Sequence, residues 1–170
     1  MLQAEFDRIG NDARRWVLQG NELWHASRCL LRYTAFGSSK RRARRPDLTR
    51  TVLLLRAFAF ECFFKTMWLK SGNKPATGGQ FAMVPGVNNH DLPGLADKVT
   101  FPLEPNEREC LSRLTHFGVF GRYPINQNWQ VQENKSFWST ADEHILATMI
   151  RRISLRLKPP RGRRRRRTTR

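Results

Sequence analysis

The longest apolar stretch of the chain covers residues 48–70, and it limits what the sequence can fold into. Leu, Val, Phe, Met and Trp side chains surround nearly the whole circumference of a helix here. Arg56, Glu61 and Lys65 interrupt the stretch at intervals too short for the core of a bilayer, where charges are costly. It is therefore predicted as the central buried helix of a bundle, without a transmembrane segment, and a glycine cap at residues 71–72 is expected to end it.

Apolar residues recur at helical spacing on both sides of this stretch. The further predicted helices cover about residues 3–34, 90–99, 106–121 and 140–157. Gly20 is a possible weak point of the first helix, which is either one long helix or a kinked one. Ser139 and Asp142 make a capping-box-like start for the last helix. Since no β-type alternation or internal repeat is present, the fold class is predicted to be all-α, a bundle of four to five helices.

The cysteines and the N-terminus bear on the class of protein. Cys29, Cys62 and Cys110 are too scattered for a disulfide framework or a zinc site. Each lies in an apolar helical pattern, so buried and unreactive thiols are expected. The N-terminal residues lack the charged region and apolar run of a signal peptide. We therefore expect an intracellular, cytoplasmic protein.

Two short segments carry most of the formal net charge of +17 on the 170 residues. Residues 158–170 hold eight basic residues and no acidic one, and residues 40–50 have a balance of +5. The other 146 residues carry +4, which is ordinary for a globular domain. We predict one helical domain over residues 1–157 and a basic tail over residues 158–170. Five adjacent arginines repel one another, so this tail is expected to be disordered.

Arginine binds phosphate through planar, paired hydrogen bonds, and neutralised phosphates release counterions. The two basic segments therefore predict contacts with RNA or DNA that do not depend on base sequence. The candidate residues are Lys40, Arg41, Arg42, Arg44, Arg45, Arg161, Arg163, Arg164, Arg165, Arg166 and Arg167. Two alternatives stay open: a solvated tail that reflects a GC-rich coding sequence, and an anionic membrane surface.

No constellation typical of an enzyme stands out. The four histidines have no His, Cys or acidic neighbours at zinc-ligand spacing, and no glycine loop of the phosphate-cradling type is present. The sequence predicts neither a metal site nor a cofactor. Glu61 and Lys65 share one helix face, either as a structural ion pair or as groups that face a ligand. His90 and Asp91 open a short helix, for which Asp91 is a suitable N-cap.

The fourth predicted helix ends at Arg122, Tyr123 and a proline, where Arg122 either complements the helix dipole or binds phosphate. Four features follow one another along the chain. They are a long first helix, an apolar second helix with Glu61 and Lys65, a glycine-rich loop before His90 and Asp91, and this helix ending. In this order of features the chain resembles the HEPN family (higher eukaryotes and prokaryotes nucleotide-binding domain). The resemblance covers roughly residues 3–157.

The resemblance implies a helical bundle of a kind found in toxins, defence systems and nucleotidyltransferase partners. Many HEPN proteins are metal-independent ribonucleases, in which an Arg, a polar residue, a short spacer and a His meet their copies across a dimer. This chain departs from that pattern: Arg113 and His116 lie in the corresponding helix, but only two residues separate them. They still share a helix face, so the arginine could stabilise a phosphorane while the histidine moves a proton.

Three functions follow as hypotheses. The first, which the departure from the ribonuclease spacing favours, is a non-catalytic HEPN-like domain that binds nucleic acid or nucleotide. The second is a dimeric ribonuclease, a toxin or defence effector, that uses Arg113 and His116. The third is an interaction or substrate-binding module that partners a nucleotidyltransferase or an antitoxin.

Overall fold

The structure, a computed structural model, describes residues 2–35, 47–82, 84–87, 90–120 and 138–158. These residues are mostly helical, which confirms the all-α prediction, and they include one short two-stranded ribbon. The elements in chain order are α1 (Gln3–Gly10), α2 (Ala13–Ala35), α3 (Thr49–Lys70), β1 (Ala76–Thr77), β2 (Gln80–Phe81), α4 (Leu92–Lys98), α5 (Pro105–Phe120) and α6 (Thr140–Leu157).

The first predicted helix is interrupted between α1 and α2, and Gly20 is not the point of interruption. The chain turns at Asn11 and Asp12. The Asn11 amide donates to the Ala76 carbonyl oxygen at 2.7 Å and accepts from the Ala76 N–H at 3.1 Å. The Asp12 carboxylate accepts from the N–H of Arg14 at 2.9 Å and so caps α2. These two side chains stabilise the break, which hydrophobic spacing alone does not reveal.

Gly20 lies inside α2, which continues through it, so the predicted weak point does not interrupt the helix. Gly20 is buried against α3, and a Cβ atom at this position would lie 2.7 Å from Cε1 of Phe63. The missing side chain therefore allows α2 to approach α3 closely, as dense core packing requires.

Helix α3 is the central helix, as predicted, and contacts α2, α4, α5 and α6. Its apolar residues pack against those of the surrounding helices in one core. The largest fully buried apolar side chains are those of Leu53, Phe60, Phe64, Leu92, Leu111, Leu114, Leu146, Met149 and Ile153. In the described ranges, no helix combines the length and the apolar content needed to cross a membrane.

A short β-ribbon lies in the predicted loop between α3 and α4. β1 and β2 pair antiparallel, and Gly78 and Gly79 form the turn between them with φ values of +65° and +76°. The carboxylate of Asp7 accepts a hydrogen bond from the N–H of each of these glycines at 2.9 Å. Helix α1 thus holds the turn of the ribbon. Strands of two residues are too short to produce a recognisable alternation in the sequence.

The predicted helix caps are confirmed. The Asp91 carboxylate accepts from the N–H of Gly94 at 3.1 Å and begins α4. At the start of α6, the Ser139 hydroxyl accepts from the N–H of Asp142, and the Asp142 carboxylate accepts from the N–H of Ser139.

Helices α3 and α6 lie side by side and run in the same direction. Towards their N-terminal ends the guanidinium group of Arg56 pairs with Glu143. At their C-terminal ends Nζ of Lys70 donates to the carbonyl oxygen of Leu157 at 2.6 Å. Helix α3 has 22 residues, so its first and last residues are about 33 Å apart at 1.5 Å per residue. The chain therefore enters α3 at one end of the bundle and leaves α6 at the other.

Two of the three cysteines are buried, as predicted. Burial raises the pKa of the Cys62 thiol to about 12, and it has the same effect on Cys110. The prediction is wrong for Cys29, which is exposed on α2. Of the apolar residues in this part of α2, Leu23 and Trp24 pack against the core, whereas Leu31 is exposed like Cys29.

Candidate functional site

Glu61 and Lys65, which share one face of α3, form an ion pair, and His90 joins them from the chain segment before α4. Nζ of Lys65 lies 2.5 Å from Oε1 of Glu61. Nδ1 of His90 lies 2.6 Å from Oε2 of the same carboxylate. Each oxygen of Glu61 thus has its own partner, an arrangement that favours the structural interpretation of the pair over a ligand-facing one.

The protonation of Glu61 follows from these contacts. Burial acts to raise the pKa of its carboxyl group, because the charged form loses water. The charge and hydrogen bond of Lys65, together with the contact to His90, act in the opposite direction and prevail, so the pKa of Glu61 is lowered. The carboxylate is therefore ionised near neutral pH, where it accepts hydrogen bonds and cannot act as a general acid.

Two aromatic rings enclose the ammonium group of Lys65. Its Nζ lies 5.4 Å from the ring centroid of Trp16 and 5.7 Å from that of Phe81. The two rings are stacked, with centroids 5.7 Å apart. The apolar cleft that Trp16, Lys65 and Phe81 line together with neighbouring side chains has no room for a water molecule. Lys65 thus links α3 to α2 and the ribbon rather than facing an open pocket.

The segment around His90 joins three helices. His90 adopts a left-handed backbone conformation, with φ of 68°, and places its ring beside Glu61 on α3. Asp91 caps α4, and the N–H of Leu92 donates to the hydroxyl of Thr115 on α5 at 3.1 Å. The His90 and Asp91 positions singled out in the sequence therefore form a junction between α3, α4 and α5.

Arg113 and His116 lie three residues apart on α5, and the guanidinium group of Arg113 is held by acids. One of its terminal nitrogens lies 2.6 Å from Glu109, and the other pairs with Asp142 at the start of α6. These contacts raise the already high pKa of Arg113 against the effect of burial. Arg113 therefore stabilises the packing of α5 on α6, and its role towards a phosphate would compete with these two carboxylates.

The imidazole of His116 is partly buried next to Phe117, with ring centroids 5.9 Å apart. Burial lowers the pKa of His116, and the positive charge of Arg50 at the start of α3 lowers it further. The neutral ring therefore predominates near pH 7 and can accept a proton.

Sequence reasoning did not single out Arg56 as a site residue. Its side chain is 2% exposed, pairs with Glu143, and lies 5.2 Å from the ring centroid of Trp24. The indole N–H of Trp138 donates to the same Glu143 oxygen at 2.6 Å. The sequence contains a signal for Arg56, because this charged residue interrupts an apolar helix. The residue with which it pairs depends on the fold.

Most arginines on α3, α5 and α6 contact a carboxylate or a carbonyl oxygen within the helical body. Besides Arg56 and Arg113, Arg108 makes a paired contact with Asp97, and Arg152 lies 2.5 Å from Glu107. Arg156 donates to the backbone carbonyls of residues 99 and 100 at 3.0 Å. Four of the seven arginines on these three helices are thus paired with a carboxylate of the helical body.

The remaining predicted residues lie outside the described part of the chain. They are Lys40, Arg41, Arg42, Arg44, Arg45, Arg122, Tyr123, Arg161, Arg163, Arg164, Arg165, Arg166 and Arg167. The expected disorder of the tail concerns residues 159–170, which also lie outside the described part. Within the described ranges, no three His, Cys, Asp or Glu side chains meet in a way that could hold a metal ion.

Comparisons of the chain with protein-family models, with curated proteins and with solved structures give no match. The resemblance to HEPN proteins, which rests on the order of helices and polar motifs, therefore stays a prediction.

Proposed function

We propose that this chain is a HEPN-like helical domain that binds nucleic acid through the phosphates, with its two basic segments supplying most of the affinity. Free nucleotides would offer the same phosphate chemistry. The observation that supports the proposal is the division of charge. The arginines of α3, α5 and α6 mostly contact acceptors inside the body, whereas residues 40–50 and 158–170 carry +5 and +8 with almost no acid of their own.

The attachment points of the two segments support contact with an extended polyanion. The first segment leads into α3 at one end of the bundle, and the second follows α6 at the opposite end, about 33 Å away along α3. A nucleic acid presents phosphates continuously over such a distance, whereas a free nucleotide does not. The proposed ligand is therefore a polymer.

The test measures binding of the full chain to nucleic acid over a range of salt concentrations. In one variant, glutamine replaces the five arginines from Arg163 to Arg167; in the matched control, lysine replaces them. If all five contact phosphates, the glutamine variant lowers the slope of log K against log salt by about 3.5 to 4.5. The lysine variant should retain most of it. An unchanged slope in the glutamine variant would rule out phosphate binding by the tail. If the natural chain binds no nucleic acid, the interaction-module alternative is favoured.

A metal-independent ribonuclease that uses Arg113 and His116 is the second candidate. Its support is the lowered pKa of His116, which leaves a neutral imidazole able to take a proton near pH 7. The pairing of Arg113 with Asp142 and Glu109 counts against it. Incubation of the chain with RNA in the presence of a chelator is the test, with His116→Ala as the variant and His144→Ala, at an exposed position on α6, as the control. Cleavage that survives His116→Ala would remove His116 from the mechanism.

A further inference from the structure

Helix α2 has an exposed face that does not pack on α3. Positions spaced alternately by four and three residues fall within a stripe about 80° wide on an α-helix. On α2 this stripe is formed by six exposed residues: Arg14, Leu18, Asn21, His25, Arg28 and Arg32. It contains three arginines and no acid, and we call it the α2 basic face.

The arginines of this face differ in their contacts from Arg56, Arg108, Arg113 and Arg152, which pair with carboxylates, and resemble the exposed Arg151 on α6. Among the described residues, Arg14, Arg28 and Arg32 have no carboxylate within ion-pair distance. The only acidic residue in the sequence of α2 is Glu22, which lies beside the stripe. The face therefore presents positive charge that no carboxylate of the described ranges neutralises.

The length and direction of the face relate it to the two basic segments. Arg14 and Arg32 are 18 positions apart, which corresponds to about 27 Å along the helix. Trp16 contacts Lys65 and Trp24 contacts Arg56, so α2 runs antiparallel to α3. Arg32 thus lies at the end of the bundle where the chain leads towards residues 40–50, and Arg14 lies towards the end where α6 stops. The face connects the two ends from which the basic segments extend.

We infer that the α2 basic face docks on the phosphate backbone of a B-form DNA duplex, along about eight base pairs at 3.4 Å each. This inference rests on the proposed function and names its ligand. The only ring on the stripe is the imidazole of His25, whereas proteins that bind single strands place several aromatic rings along the strand to stack on successive bases. The major groove of B-form DNA admits an α-helix, whereas that of duplex RNA is too deep and narrow. Because the α2 basic face is one side of an α-helix, it fits the major groove of duplex DNA better than that of duplex RNA.

The test uses the full chain and a mixed-sequence 20-base-pair DNA duplex, with the salt dependence of binding as the readout. The face variant is Arg14→Gln, Arg28→Gln and Arg32→Gln together, since glutamine keeps helix propensity. The control variant removes the same charge from exposed cations elsewhere: Lys74→Gln, Lys98→Gln and Arg151→Gln. We expect the face variant to lower the slope of log K against log salt by about 2.7, at about 0.9 per phosphate contact, and the control to lower it by less than one. Circular dichroism confirms that both variants are folded.

A second change acts in the opposite direction and keeps the inference testable if the triple variant unfolds. Glu22→Gln removes the acid beside the face, so duplex binding should become several-fold tighter at low salt, whereas Glu104→Gln, at an exposed position before α5 with no ion-pair partner among the described residues, should not change it. Equal slopes for the face and control variants would overturn the inference. The inference would also be overturned if the face variant lost binding to duplex RNA, or to vesicles that contain phosphatidylserine, and kept its binding to duplex DNA.

The inference and the proposed function can fail separately. If the natural chain binds the duplex and only the variant of residues 163–167 weakens binding, the tail is the ligand-binding element and the α2 basic face is not. If the natural chain binds no nucleic acid, the proposed function is wrong and the inference falls with it.

Discussion

Nδ1 of His90 lies 2.6 Å from Oε2 of Glu61, although 29 positions separate the two residues in the sequence. The contact ties the central helix to the segment that leads into α4. Lys65 occupies the other oxygen of the same carboxylate. Glu61, which the sequence marks as a possible ligand-facing group, is thus the centre of an ionic junction inside the fold. The loss of stability on its removal should therefore depend on pH.

Replacing Glu61 with glutamine should destabilise the protein near pH 7 by about 1.5–3 kcal/mol, the usual range for a lost hydrogen bond to a charged group. The pKa of Glu61 is lowered in the folded state by Lys65 and His90 against the effect of burial. Its stabilising contribution is therefore present above the ordinary value of 4.5 and is lost as the pH falls through the folded-state pKa. Urea unfolding of the natural chain and the variant should show a smaller difference at pH 3.5 than at pH 7. A difference independent of pH would contradict the ionic role, and Glu104→Gln, at an exposed position, serves as the control.

Thiol labelling should distinguish the three cysteines. Burial raises the pKa of Cys62 and Cys110 to about 12, whereas Cys29 is exposed. Because the thiolate is the reactive form, a maleimide at pH 7.5 should modify one cysteine per folded chain and three in denaturant. Mass spectrometry should find the label on Cys29, and Cys29→Ser should abolish labelling of the folded chain. Rapid modification of two or three thiols before unfolding would contradict the described core.

Replacing Arg56 with alanine should cost about 3–5 kcal/mol of unfolding free energy, because it breaks a buried ion pair. Arg56 is 2% exposed and pairs with Glu143, so the substitution also leaves a gap beside Trp24. The exposed Arg151→Ala on α6 should change stability by no more than about 0.5 kcal/mol. Urea denaturation of both variants checks the prediction, and similar small effects would show that α3 and α6 do not depend on this pair.

Alanine at Gly20 should destabilise the fold even though alanine favours helices by about 1 kcal/mol over glycine. The new Cβ atom would lie 2.7 Å from the ring of Phe63, and overpacking of this kind costs about 1–3 kcal/mol. The neighbouring exposed substitution Gln19→Ala should be neutral or slightly stabilising. A Gly20→Ala variant more stable than the natural chain would show that α2 and α3 are packed less closely than described.

The features predicted correctly from the sequence are those that local interactions determine. The apolar composition of α3, the Asp91 cap and the Ser139–Asp142 capping box need only neighbouring residues. Features that depend on distant residues were missed or misread. The role of Gly20 depends on Phe63, and the partner of Arg56 lies 87 positions away.

The break between α1 and α2 is another long-range feature, because it depends on the contact of Asn11 with Ala76. The ion pair of Glu61 and Lys65 was predictable from their spacing within one helix. The third member, His90, was recognised only as part of a local motif. Its contact with Glu61 requires the fold to bring α3 and the segment before α4 together.

The most direct test of the account is the salt dependence of nucleic-acid binding when the basic segments are neutralised separately and together. One variant has glutamine at Lys40, Arg41, Arg42, Arg44 and Arg45, a second has glutamine at residues 163–167, and a third combines both. We predict that neutralising either segment lowers the slope of log K against log salt. The combined variant should keep the part due to the α2 basic face, about 2.7, together with any contribution of the four basic residues left in the segments, Arg50, Lys158, Arg161 and Arg170. A combined variant with the slope and affinity of the natural chain would contradict this prediction.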